Sequence, residues 1–157
     1  MTPNESEPEL VTVRQATVDD SDAIADLYTQ ARIHAVPQMP PAMHTNAGDR
    51  AYLARRMRED DVTMWVAERG DELLGFAACT PTWLDGLYVR PDLKGEGVGS
   101  LLLDVVEATH PDGYELWVFE SNTGARRLYE RRGLVEVEHT DGSANEERAP
   151  DIRMAWG

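Results

Sequence analysis

One cysteine, one lysine and no apolar run near the ~18 residues that a bilayer span requires set the first limits on this chain. Cys79 lies inside the apolar stretch LLGFAAC, so no internal disulfide can form and the residue reads as a small core side chain. The opening MTPNESEPEL lacks the basic and then apolar pattern of a secretory signal. The expectation is a protein without a membrane partner, placed in the cytoplasm. Basic residues are also scarce, 15 against 29 acidic ones, for a net charge of −14. That balance argues against a nucleic-acid partner, because such proteins bind by neutralising phosphates with Lys and Arg. It favours cationic partners instead. The histidines at 34, 44, 110 and 139 are scattered without ligand spacing, so no metal is expected.

What is present suits one compact unit. A chain of 157 residues, 41% of them hydrophobic, can fill one core and is short for two. Residues 1–9 are polar and aperiodic, the composition of a disordered N-terminal tail, and the single domain is expected to run from 10 to 157. Val11 and Val13 alternate like a strand, and Asp19, Asp20 and Ser21 can cap a helix carrying Ile24, Leu27, Tyr28 and Ala31 at helical spacing. The proline-bearing VPQMPPAMHTNAG reads as a loop, and a second helix is predicted from about Asp49 to Glu59. Three strands follow in VTMWVAER, ELLGFAAC and TWLDGLYV, the last with Trp83, Asp85, Leu87 and Val89 on one face. Val98, Leu101, Leu102, Val105 and Val106 predict the inward face of a third helix. YELWVFE, apolar on both faces, reads as a central strand, a helix is predicted from Asn122 to Arg132, and LVEVEH and DIRMAW close the chain. The order predicts an α+β layer structure with one βαβ crossover from TWLDGLYV to YELWVFE.

Gly95, Gly97 and Gly99 stand between a predicted strand and the first turn of an amphipathic helix. A helix start offers about four unpaired N–H groups and a partial positive charge, and glycines let an anion reach the backbone. Taken alone, such a turn fits a flexible connection or a dinucleotide fingerprint as well as a pyrophosphate cradle. The alternate glycine spacing differs from G-x-G-x-x-G, and the GK[ST] ending of an NTPase loop is missing.

Leu87, Tyr88, Val89, Arg90 and Pro91, followed by Lys94, Gly95, Glu96, Gly97, Val98 and Gly99, resemble the (Q/R)xxGx(G/A) signature of the GCN5-related (GNAT) acetyltransferases, with Lys94 where that family usually has Gln or Arg. Asn122, Ala125, Tyr129 and Gly133 resemble the family's other signature, and the likeness spans residues 10 to 156. The resemblance implies the acyl-CoA acyltransferase fold: a mixed, mostly antiparallel central sheet of about seven strands, flanked by about four helices and splayed at the cofactor. It implies acetyl-CoA as cosubstrate, with the backbone of Leu87 and Val89 beside the pantetheine arm, Gly95 to Ser100 around the pyrophosphate, and Tyr88, Asn122 and Arg126 nearby. Arg90, Lys94, Arg126, Arg127, Arg131 and Arg132 form a basic cluster beside these motifs; the alternative for Arg126 to Arg132 is an ordinary solvated helix face, and for Arg131 and Arg132 that is the favoured reading.

Acyl transfer to an amine needs a neutral nucleophile and a proton for the departing thiolate. A lysine-like amine, with pKa about 10.4, costs about 4–5 kcal/mol to deprotonate at pH 7. Tyr129 is the expected acid by the family precedent; a core tyrosine is the alternative. Asn122, seven residues or two helical turns before Tyr129, can face the acyl-CoA from the same side of that helix; capping alone would also explain it, and both roles can coexist. Trp83 stands where some family members carry a glutamate base, which leaves Asp85 as first choice for the base, ahead of Glu120 and His44. Trp83 can also line the acceptor pocket, and the run Asn145, Glu146, Glu147 can approach it from the last loop, or simply be solvated. The expected acceptor is a small-molecule or peptide amine, and homodimer formation is implied by resemblance only. A non-catalytic acyl-CoA sensor of the same fold is the alternative function.

Overall fold

The computed structural model describes residues 10–157; the predicted tail at 1–9 lies outside the described residues. The chain runs through β1 (Val11–Gln15), α1 (Ser21–His34), α2 (Asn46–Met57), β2 (Thr63–Arg69), β3 (Glu72–Cys79), β4 (Leu84–Val89), α3 (Val98–Thr109), β5 (Tyr114–Phe119), α4 (Thr123–Arg131), β6 (Val135–His139) and β7 (Asp151–Trp156). Short 3₁₀ turns precede α1 and α3. This is the predicted order of elements. No described helix is long and apolar enough to cross a membrane.

The strands form two antiparallel sheets, β1-β2-β3-β4 and β5-β7-β6. Alternation along β2 sorts side chains to two cores: Met64 and Val66 face one, Trp65 and Ala67 the other. α1 and α2 cover the first with Ile24, Ala25, Leu27 and Leu53, and α3 covers the second with Val98, Leu102, Leu103 and Val106. α3 sits close because Gly75 has no side chain: a Cβ there would fall 2.8 Å from the Tyr88 carbonyl and 3.2 Å from Leu102.

Three boundaries and faces differ from the sequence expectation. α2 begins three residues before Asp49, because Thr45 caps it by accepting from Gly48 N–H at 3.1 Å, and Asp49 is buried where it accepts from Thr29 at 2.7 Å. The inward face of α3 uses Leu103, whereas Leu101 is exposed. β5 is buried on one face rather than both: Tyr114, Leu116 and Val118 are buried, while Trp117 is exposed. The predicted crossover does join parallel strands, since β4 and β5 touch through a parallel bridge between Trp83 and Glu115, where Glu115 N–H donates to the Thr82 carbonyl at 3.0 Å.

Candidate active site

Past that bridge β4 and β5 part, and a cleft of about 240 Å³ opens between them. Leu84 to Tyr88 form one wall and Leu116 to Phe119 the other; Asn122, Ala125 and Tyr129 enter from α4, Arg32 and Met39 from the α1 side, and Asp151 from β7. The open edge of β4 follows from its pairing. Arg90 N–H donates to the Leu74 carbonyl at 2.9 Å, so by the two-residue period of an antiparallel ladder Tyr88 also bonds toward β3. Leu87, which lines the cleft, and Val89 beyond it turn their N–H and C=O groups away from β3 instead.

At the carboxyl end of β4, Gly95 and Gly97 adopt left-handed backbone, φ 83° and 87°. Nothing lies within 4 Å of where a Cβ would stand on either, so the backbone of the turn is bare to open space. Gly97 caps α3 without a side-chain hydrogen bond, so the first amides of the helix are left unpaired. Gly99 packs on Leu128 and Val89. Lys94, Glu96 and Gly97 are exposed, Val98 is buried in the core, and Ser100 is half-buried. Uncapped amides and one exposed lysine thus face solvent together, the chemistry that an anion would need.

Half of the basic cluster is paired with carboxylates. Arg90 pairs with Asp92 at 2.7 Å and Glu72 at 3.4 Å, and Arg132 pairs with Asp104 and Glu107 at 2.6 Å. Arg126 reaches Glu136 at 3.0 Å and the Glu120 carbonyl at 2.9 Å, and lies outside the cleft lining. Among the described residues Lys94, Arg127 and Arg131 form no ion pair.

Tyr129 is buried in the cleft wall, and burial pushes its phenol well above the ordinary range. Its hydroxyl makes no hydrogen bond among the described residues. Asn122 caps α4 by accepting from Ala125 N–H at 3.4 Å and also lines the cleft. Asp85 lies elsewhere than its strand spacing predicts. The β3–β4 register shifts between Ala78 and Cys79, which pair with Gly86 and Leu84, so Asp85 is the extra residue of a bulge. The bulge reverses the alternation: Leu84, Leu87 and Val89 pack toward α3, whereas Asp85 faces α2 and meets Arg56 at 2.5 Å. Burial raises the Asp85 carboxyl above its usual range, against the pull of Arg56. Tyr88 points to the same side, its ring against Tyr28 and Phe76 at 4.9 and 5.5 Å.

Trp83, Glu120 and His44 are not among the cleft-lining residues. Trp83 is half-buried in the turn after β3, Glu120 is exposed at the end of β5, and His44 pairs with Glu146 at 2.5 Å. That contact, with Ser121 donating to the Gln38 carbonyl at 2.6 Å, ties the α1–α2 loop to the β6–β7 and β5–α4 connections. Asn145 closes its own loop through Ala149. Sequence reasoning missed Arg32, 5% exposed on the cleft. The signal was its place: Ile24, Leu27, Tyr28, Ala31 and Arg32 continue one apolar stripe at i, i+3, i+4, i+7 and i+8, a position where a guanidinium needs a reason.

Residues 22–134 match the Acetyltransferase (GNAT) family. An uncharacterized N-acetyltransferase of Methanocaldococcus jannaschii is 29% identical over 146 residues, covering 83% of this chain and 63% of that one. A peptidyl-lysine N-acetyltransferase, YjaB of Salmonella typhimurium, is 34% identical over 75 residues, covering 47% of this chain and 51% of that one. The chain thus spans less than two thirds of the length of these two relatives. Among solved structures, yncA of Salmonella typhimurium with its cofactor acetyl-CoA shares the fold at TM-score 0.72 and 18% identity, over 93% of this chain and 92% of that one.

Proposed function

The chain belongs to the acetyltransferase (GNAT) family, and from that premise we propose that it moves an acetyl group from acetyl-CoA to a primary amine, by direct attack of the amine in the β4–β5 cleft. The observation that carries this reading is the opening of β4 from β5 beyond the Trp83–Glu115 bridge, with the Tyr129 phenol in its wall. A cosubstrate with an extended amide arm fits the free edge of β4, where Leu87 and Val89 offer strand-like partners. Its pyrophosphate fits the uncapped amides from Gly95 to Ser100, with Lys94 beside them.

In the reaction the amine nitrogen bonds to the acetyl carbon, the C–S bond breaks, and its electron pair leaves on the CoA sulfur. Tyr129, kept protonated by burial, supplies the proton that sulfur takes up. The amine must shed a proton to attack. Asp85 is the base in this reading, directly or through a water, since burial makes its carboxylate more basic than an exposed one. Asn122 orders the start of α4 and with it the cleft wall that carries Tyr129. A peptide amine is one acceptor class, as the name of the Salmonella relative indicates for that protein, and a small free amine is the other.

Thiol release from acetyl-CoA on addition of an amine panel tests the proposal. Acceptor-dependent thiol release with formation of the N-acetyl product supports it; acetyl-CoA binding without turnover on any amine overturns it.

A further inference from the structure

Arg32 is 5% exposed, lines the cleft, and is incompletely matched. Its Nε is shut off from solvent and has no hydrogen-bond partner, Nη2 donates to the Pro40 carbonyl at 3.2 Å, and Nη1 makes no hydrogen bond among the described residues. The nearest carboxylate is Glu147, 3.8 Å from Nη2 and beyond hydrogen-bond reach. The Tyr88 hydroxyl lies beside the same guanidinium. A buried arginine stays charged, and leaving its fork unfilled costs free energy unless an anion completes it. The location narrows what that anion is. Arg32 sits on α1, on the sheet face opposite α3, so the pyrophosphate cradle at the start of α3 is not its partner. It shares the face of Asp85 and Tyr88, toward which an acceptor amine must come to meet the proposed base.

We propose that Arg32 anchors a carboxylate on the acceptor, so that the amine acetylated in this cleft belongs to an amino-acid-like molecule carrying both groups. The inference rests on the acetyl-transfer reading above and names its substrate class. Guanidinium and carboxylate match as planar forks, which a point-charge ammonium does not reproduce. The cleft supports a small acceptor: about 240 Å³ is less than the ~300–1,000 Å³ of drug-sized sites. Glu147 is the internal competitor for the fork, brought there by the β6–β7 loop that His44 and Glu146 hold against the α1–α2 loop.

The test compares the proteinogenic amino acids with their α-carboxamides as acceptors, using the wild type, Arg32→Gln, Arg32→Lys and Glu147→Gln, with acetyl-CoA affinity measured by calorimetry alongside. The wild type is expected to favour its best carboxylate over the matching carboxamide by about 100-fold or more in kcat/KM. Arg32→Gln should bring that ratio within a few-fold while leaving acetyl-CoA affinity unchanged, and Arg32→Lys should fall between. Glu147→Gln, which frees the fork, should lower KM for the carboxylate. If Arg32 only clips the two loops together, Glu147→Gln will instead resemble Arg32→Gln, and the proposal fails. It fails equally if carboxylate and carboxamide are acetylated alike. Should Arg32→Gln not fold, the wild-type ratio and the sign of the Glu147→Gln effect still decide. Loss of acetyl-CoA binding by the wild type sinks the acetyl-transfer reading itself, and calorimetry with the amino acids alone then reads the Arg32 site directly.

Discussion

Trp83 and Glu115 make a parallel bridge at the point where β4 leaves β5, and the cleft begins where that contact ends. Beyond it the alternation of β4 divides its amides: Tyr88 bonds toward β3, and Leu87 and Val89 face open space. Acetyl-CoA is therefore expected to slow hydrogen exchange at the Leu87 and Val89 amides and to leave the already bonded Tyr88 amide unchanged. Exchange measured by NMR with and without the cosubstrate checks this. Equal protection at all three positions would contradict strand-like binding.

Gly97 offers a second probe of the same cofactor. Its φ of 87° costs an alanine about 1–2 kcal/mol, but the new Cβ meets no protein atom within 4 Å. Gly97→Ala should fold with that modest penalty. Its methyl group would enter the open space that the pyrophosphate is proposed to fill, so acetyl-CoA should bind at least about tenfold more weakly, or about 1.4 kcal/mol. Calorimetry reads the affinity and denaturant unfolding the stability. Unchanged affinity would move the pyrophosphate elsewhere.

The α3 packing face gives a stability test. Leu102 is fully buried against the sheet and Leu101, its neighbour, is 39% exposed. Leu102→Ala should cost about 2–5 kcal/mol in urea unfolding, through lost burial and an unfilled cavity. Leu101→Ala should stay within about 0.5 kcal/mol.

These positions also show what the sequence revealed. The glycine turn was legible because uncapped amides and positive φ demand glycine, and the spacing of Asn122 and Tyr129 on one helix placed both on the cleft. Helical periodicity set the inward face of α3 only to within a residue, so Leu101 and Leu103 exchanged roles. Asp85 was assigned to the wrong strand face because a bulge adds one residue and inverts everything on one side of it, and no residue type announces a bulge. Arg32 was hidden for a different reason. A lone arginine on a helix ordinarily reads as solvated, and only the packing of Tyr28, Tyr88 and the β6–β7 loop around it encloses the charge.

Tyr129→Phe should separate chemistry from binding. The hydroxyl makes no hydrogen bond among the described residues, so its removal orphans no partner, and unfolding stability should stay within about 0.5 kcal/mol. Acetyl-CoA affinity should hold. If the phenol protonates the leaving sulfur, kcat should fall by about 10²–10⁴. A thiol-release assay under saturating acetyl-CoA reads the loss, and an unchanged kcat would return Tyr129 to the role of a core tyrosine.

Asp85 and Arg56 predict a pH dependence with a definite sign. Burial raises the Asp85 carboxyl above its ordinary value of 3.8, and the Arg56 charge opposes that rise. A base must be ionised to act, so activity should fall on the acid side as pH drops through this raised value. Arg56→Gln removes the opposing charge, and the acid limb of kcat/KM should then move to higher pH. Asp85→Asn should abolish the limb together with most of the rate. Stability should follow the same titration: the fold favours the protonated carboxyl, so its contribution is fully present below 3.8 and lost as pH rises through the raised value. Relative to the wild type, Asp85→Asn, which stays neutral, should gain stability with rising pH across that window. A pH–rate profile in which Arg56→Gln leaves the acid limb in place would show that Asp85 is not the titrating base and that a water or another group takes the amine proton.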